Sequence, residues 1–523
     1  VTIPLPSGYT PSLLPEIAIA VQLGVGATPA RNDFKPVLLG NKLAAGLASN
    51  TVAIEVYGPD HANTQFGARS ELARMCRAWF KIAPRGRLWA CPVAENISGV
   101  AATAKLLFAT TATAGGVVRV TVGDRSLPEV VFNTGDTASA IATAVNSMIA
   151  AYDEELPVTS GVSTATVTLT AANVGPRGND IRVICEIVPS GTAAAGTTVA
   201  LNGGSAASQV DGRLGAGAGS SGTDFVPGSG ADDFTAALAA VYAADFDFLG
   251  CACNDDTNRG LVKTHVTGAS AISEGRRRAA VCGSIEPTLS TVQGDAVAAN
   301  EPRFQIVHLK GAYNGTGEMA AAYLAAHIYG DGKLRGIAQK TSAKQNGLQL
   351  YPAIRAPLVS DYTTSNEKRT LLANGVTPLA ASSLSPGYAE VVRPVTTRTL
   401  AVSGATSYAV IDPSKVRVAD EVARRWGAFC AVAYADKNLA PDPPSIDEAP
   451  SADDVVWPSA MREDVLALLR QMEDEGKLVN VNAHADAVAV AADGADDTVA
   501  VVTIPIAVIP HLHSTVTVVQ QVA

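Results

Sequence analysis

Charge is scarce in this 523-residue chain, at 17%, and it is almost missing from the two ends. Thr498 to Ala523 (TVAVVTIPIAVIPHLHSTVTVVQQVA) holds no Asp, Glu, Lys or Arg, and Val1 to Ala30 holds one, Glu16. Val, Ile and Thr dominate both stretches, and such residues favour extended backbone. An uncharged terminal strand is an open edge that soluble monomers normally blunt with charge. A chain with two such ends has one simple physical use for them, which is to lend them to neighbouring copies as added strands. The apolar positions expected to make those inter-subunit strands are Ile3, Leu5, Ile17, Ile19 and Val21, with Val516, Val518 and Val519 at the other end. This reading makes the chain a polymer subunit.

Other absences narrow the class. The formal net charge of −10 argues against a nucleic-acid surface, because phosphate binding needs a Lys/Arg footprint. Arg276-Arg277-Arg278 and Arg424-Arg425 are too small to reverse that and read as solvated helix faces or subunit contacts. The most apolar run, Val499 to Pro510, is broken by Pro505 and falls short of the roughly 20 residues a spanning helix needs, so membrane insertion is not expected. No basic, export-type segment opens the chain, so assembly in the cytoplasm is expected. The seven cysteines (Cys76, Cys91, Cys185, Cys251, Cys253, Cys282, Cys430) show no metal-site spacing. They read as buried small hydrophobes or, once released from a reducing cytoplasm, as disulfides between subunits.

Chemistry is missing too. No G-x-x-x-x-G-K-[ST], H-E-x-x-H, C-x-x-C or G-x-S-x-G occurs. Asn314-Gly-Thr-Gly-Glu318 tempts as a phosphate loop, but it lacks the lysine, and Glu318 would repel phosphate. His511-x-His513 names no third metal ligand. Asp232-Asp233, Asp255-Asp256 and Asp453-Asp454 read as caps and solvated pairs. Nothing assembles a nucleophile, a base and an orienter, so neither catalysis nor a cofactor is expected.

What is present divides the chain. The length suggests about three domains. After an extended arm (1–22), short apolar strands at Lys35–Gly40 and Leu88–Val93 flank an amphipathic helix, Phe66 to Ile82. Period-2 strands near 117–122, 165–170 and 181–187, with one helix over 137–151 capped by Asp136, read as a small α+β module at 101–230. That module is expected to end in a flexible Gly/Ser-rich linker from Pro189. From Asp233, short apolar strands alternate with helices, the pattern of a parallel sheet. The expected fold is thus α/β and α+β multidomain: an α/β domain at 23–100 and 231–345, interrupted by the module. A core domain follows at 346–497, with helices from Asp412-Pro413 and from Ser459, then a second arm at 498–523. Gly24 to Pro29 and Ala492 to Asp497 read as hinges beside the arms.

Several segments carry a family resemblance. His61-Ala-Asn-Thr-Gln-Phe-Gly-Ala-Arg-Ser-Glu-Leu-Ala-Arg-Met75, Leu88-Trp-Ala-Cys-Pro-Val93, Leu371-Leu-Ala-Asn-Gly-Val-Thr-Pro-Leu379 and Gly387-Tyr-Ala-Glu-Val-Val-Arg-Pro-Val-Thr-Thr397 resemble the tail sheath proteins of Mu-like contractile phages. So do Gly135-Asp-Thr-Ala-Ser-Ala-Ile141 and Gly175-Pro-Arg-Gly-Asn-Asp-Ile181 in the module. The likeness runs through most of the chain in the family's order of parts, departing in the Gly-rich linker and the Pro-rich loop near Pro443. It implies a virion subunit, stacked in hexameric rings around a tail tube and bounded by baseplate and tail terminator proteins. It also implies a sheath core with swapped terminal strands and contraction without a nucleotide. Alternatives left open are the sheath of a headless injection system (a tailocin), an α/β enzyme binding a ligand near Cys253, Cys282 and Lys310, and a surface-layer protein.

Overall fold

A computed structural model describes residues 34–152, 154–271, 274–330, 346–401, 403–443, 454–494 and 496–509. At its centre is an eight-stranded sheet whose order is Ala389–Val391, Val376–Ala381, Phe304–His308, Ala279–Ser284, Phe248–Cys251, Pro36–Asn41, Trp89–Val93 and Ile54–Glu55. The six inner strands are parallel and the two edge strands antiparallel. Continuous apolar runs such as PVLLGN suit a sheet covered on both faces. Leu38 faces one side, packed under the helices Glu71–Ile82 and Thr316–Tyr329. Val37 and Leu39 face the other, under Thr235–Tyr242, Asp256–Ala269 and Leu289–Ala299.

The Thr316–Tyr329 helix is buried along its whole length. Small residues permit this. A Cβ on Gly283 of the adjoining strand would lie 2.1 Å from the Thr316 carbonyl oxygen. The expected single helix from Phe66 is in fact two, Pro59–Phe66 and Glu71–Ile82. Gly67 takes a positive φ of 84°, which ends the first, and Ser70 caps the second by accepting from the Ala73 N–H.

The α/β domain runs further than expected. Val376–Ala381 pairs parallel to Phe304–His308, and Ala389–Val391 extends the edge, so the sheet draws on residues beyond 345. The inserted module is a β-sandwich of two five-stranded sheets with one helix, Ala138–Ala151, around its own core. Thr137, and not Asp136, caps that helix. The expected flexible linker folds into this sandwich. Thr198–Leu201, Gln209–Arg213 and Phe225–Val226 are strands in it. Backbone ladders to Thr103–Ala109 and Arg182–Pro189 order this Gly-rich stretch, which composition alone leaves loose.

The last region is a helical pair with a hairpin. Pro413–Ala433, capped by Asp412, and Pro458–Asp474 pack through Val418, Val422, Trp426, Val465 and Leu469. Residues 482–487 form a 3-10 turn. Ala489–Ala492 then pairs antiparallel with Ala500–Thr503, and Leu478 bridges Val508. The segment read as an arm from 498 is therefore folded into the chain as far as Val508.

Candidate functional site

The chain reverses its direction of growth across the sheet at Pro36–Asn41. From Pro36–Asn41 the chain moves outward to Trp89–Val93, and after the insert it returns to Phe248–Cys251 on the other side and builds away. Open α/β sheets take ligands at such a switch point, in the crevice beyond the carboxyl ends of the strands. Here those ends are Asn41 and Ala252, and the crevice is filled by the chain's own Arg177.

Arg177 sits on a short turn of the inserted module, Pro176–Asp180. Its Nη1 donates to the Ala252 carbonyl oxygen at 2.7 Å, and its Nη2 donates to Asn41 Oδ1 and to Asp232 Oδ2. Its Nε lies 2.9 Å from Glu71 Oε2. Arg177 and Glu71 are nearly excluded from water and the Asp232 side chain fully so. Charges this deep are tolerated only when paired and hydrogen-bonded, as they are here. Burial pushes the Glu71 carboxyl up, against the pull of Arg177 and Arg74. Asp180 is raised to about 6, again mainly by burial, although Arg213 and the Asn254 side-chain amide favour its ionised form.

Neighbouring contacts complete the dock. Asn173 Oδ1 accepts from the Glu71 N–H at 2.8 Å, so the module also caps the Glu71–Ile82 helix. Arg182 donates to the Gly311 carbonyl at 2.6 Å. Glu318 pairs with Arg74 and accepts from Asn314 at 2.8 Å, which settles the tempting loop as a buried ion pair at a helix start. What space is left is a cavity of about 30 Å³ beside Arg74, Asp180 and Tyr313, room for about two waters.

Other expected features land differently. Ile3, Leu5, Ile17, Ile19, Val21, Val516, Val518, Val519, the first hinge and His511/His513 lie outside the described residues. All seven cysteines are buried, unbridged thiols within the single chain. The arginine clusters are only partly solvated: Arg278 is fully buried, donating to the Tyr242 and Ala244 carbonyls and meeting His265 Nε2 at 2.8 Å, while Arg276, Arg277, Arg424 and Arg425 are half-buried. Arg424 meets Asp247 at 2.6 Å, and Arg425 grips Glu475 with two bonds. Asp255 caps its helix as expected, but Asp232 is the buried partner of Arg177. Among the described residues, no three His, Cys, Asp or Glu side chains are placed to hold a metal, and no helix is long and apolar enough to cross a membrane.

No protein-family model matches the chain. A stretch of 152 residues is 34% identical to the Mu-like prophage FluMu tail sheath protein of Haemophilus influenzae, covering 29% of this chain and 31% of that protein. The chain thus matches about a third of the length of this curated relative. Two solved structures align loosely along the chain. A sheath tail protein from Desulfitobacterium hafniense is 13% identical with a TM-score of 0.45, covering 92% of this chain and 93% of that one. The contracted helical sheath of the anti-feeding prophage is 10% identical with a TM-score of 0.45, covering 98% and 100%. Over that stretch of 152 residues, the chain is similar to a Mu-like prophage tail sheath protein.

Proposed function

We propose that this chain is the structural subunit of a contractile tail sheath, polymerising by strand exchange into stacked hexameric rings around a tail tube. The observation that carries this reading is the hairpin Ala489–Ala492 with Ala500–Thr503. Its two strands pair only with each other among the described residues, which leaves both outer edges open. A two-stranded hairpin is marginal alone and gains from added strands. Segment 1–22, with Glu16 as its one charge, and the uncharged segment 510–523 have the composition to supply them from neighbouring copies. Each added backbone hydrogen bond contributes about 1 kcal/mol net, so a few residues per junction link subunits firmly while the domains rotate as rigid bodies.

The plugged switch point supports the same reading. The crevice where an α/β enzyme would receive its ligand holds Arg177 instead. Partners in this role are further copies of the chain, the tail tube, and the baseplate and terminator proteins at its ends, within a virion tail.

Electron microscopy of the purified full-length chain is expected to show striated hollow tubes. Removing His511 to Ala523 is expected to leave monomers with unchanged circular dichroism and no tubes. Tubes formed by the truncated chain would sink the strand-exchange reading.

A further inference from the structure

Four of the seven cysteines, Cys91, Cys251, Cys253 and Cys282, share one core cluster on one face of the parallel sheet. Cys76, Cys185 and Cys430 each sit in a different cluster with no second thiol. Within the four, distances separate partners from bystanders. Cys91 and Cys251 are both in register with Leu39, so a whole strand lies between them. That spacing, about 9–10 Å, is too wide for a disulfide. Cys251 and Cys282 are register partners on adjacent strands. Cys253, just past the end of its strand, brings its Sγ to 2.7 Å from Cys282 Sγ, with both side chains fully buried.

We propose that Cys253 and Cys282 are a built-in oxidation site, converted by a small two-electron oxidant such as hydrogen peroxide into a disulfide within the chain. The Cys253 sulfur, as thiolate, attacks one peroxide oxygen and the O–O bond breaks, giving a sulfenic acid. The departing hydroxide takes up the proton that the thiol released and leaves as water. The Cys282 sulfur then attacks the sulfenic sulfur; the S–S bond forms, the S–O bond breaks, and the second hydroxide leaves as water with the Cys282 proton. Each sulfur gives up one electron, and peroxide is reduced to two waters.

Two guanidiniums flank the pair. Arg177 binds the Ala252 carbonyl beside Cys253, and Arg259 Nη2 donates to the Asn254 carbonyl just beyond it. Burial pushes both thiols well up, and Arg259 pulls against that. The reaction is therefore slow at neutral pH and faster as pH rises. The link would fasten the Ala252–Asn254 turn, on which Arg177 rests, to the neighbouring strand. Oxidation thus tightens the floor under the docked module without joining one subunit to another.

The test uses the folded full-length protein, held with hydrogen peroxide at mildly alkaline pH, alkylated and digested without reductant. A Cys253–Cys282 linked peptide is expected, with a mass loss of about 2 Da per chain. Non-reducing gels are expected to show no cross-linked dimer. The link should vanish in Cys253→Ala and persist in Cys251→Ala, with circular dichroism confirming that both variants fold. Three results would overturn the proposal: a link between Cys251 and Cys282, an inter-chain disulfide, or full alkylation of Cys253 and Cys282 after a day in peroxide.

Discussion

Arg303 and Asp420, far apart in sequence, meet in a two-bond pair, with Arg303 Nη2 2.6 Å from Asp420 Oδ1. Both side chains are more than nine-tenths buried. The pair joins the base of the Phe304–His308 strand to the Pro413–Ala433 helix, and so the α/β domain to the helical region bearing the hairpin. Breaking a buried pair from one side strands the other charge. Arg303→Ala or Asp420→Ala is therefore expected to cost about 3–5 kcal/mol in urea unfolding, and replacing both together by apolar residues much less. Additive losses from the two single changes would contradict this coupling.

Arg177 offers a second test. Arg177→Ala removes the cation that bridges Glu71 and Asp232, again a loss of about 3–5 kcal/mol. The module should undock before either domain unfolds, because its core is separate. Limited proteolysis would then cut near residues 94–100 and 227–233 in the variant and spare them in the parent. Lysine in place of Arg177 should rescue little, since one ammonium cannot reach four acceptors on different elements.

Gly283 tests the close approach of helix to sheet. Gly283→Ala places a methyl against the Thr316 carbonyl, where neighbouring backbone cannot yield cheaply. Thermal or urea unfolding should show a loss of about 1–3 kcal/mol, the usual range for overpacking. An unchanged midpoint would mean that the helix shifts freely.

His265 sets an expected pH response. Burial, helped by the Arg278 charge, lowers it to about 4. The unfolded chain therefore takes up the proton first as pH falls below about 6.5, and native stability drops progressively until about pH 4. Above pH 6.5 this group contributes no pH dependence. His265→Gln is expected to flatten that part of the profile in thermal melts between pH 7 and 4.5. An identical slope in parent and variant would assign the acid loss elsewhere.

Much of the architecture was legible because it follows from local pattern. Apolar runs such as FDFLGCAC and RFQIVHL announced parallel strands, and Asp412-Pro413 announced a helix start. The ordering of 198–226 was not legible, since glycine-rich stretches become strands only when a distant ladder receives them. The switch-point plug was hidden for a related reason. Arg177 lay within Gly175–Ile181, a segment noted for family likeness. But nothing in the sequence says that this arginine meets Glu71, or that Asp232, unlike Asp233, turns inward. Pairings of charges across more than a hundred residues leave no periodicity to read. The arginine clusters misled by the same route, because solvated and buried arginines are spelled alike.

The plug also bears on how such chains can diversify. An inserted module looks like a part that could be exchanged for any other of similar size. Here it carries the only cation shown bridging Glu71 and Asp232 across the sheet's opening, among the described residues. A replacement module lacking an arginine on its docking turn would leave two inward carboxylates beneath it. Grafts are therefore constrained at their root and free at their tip, with the Gly175–Ile181 turn travelling with any module that is to sit on this base.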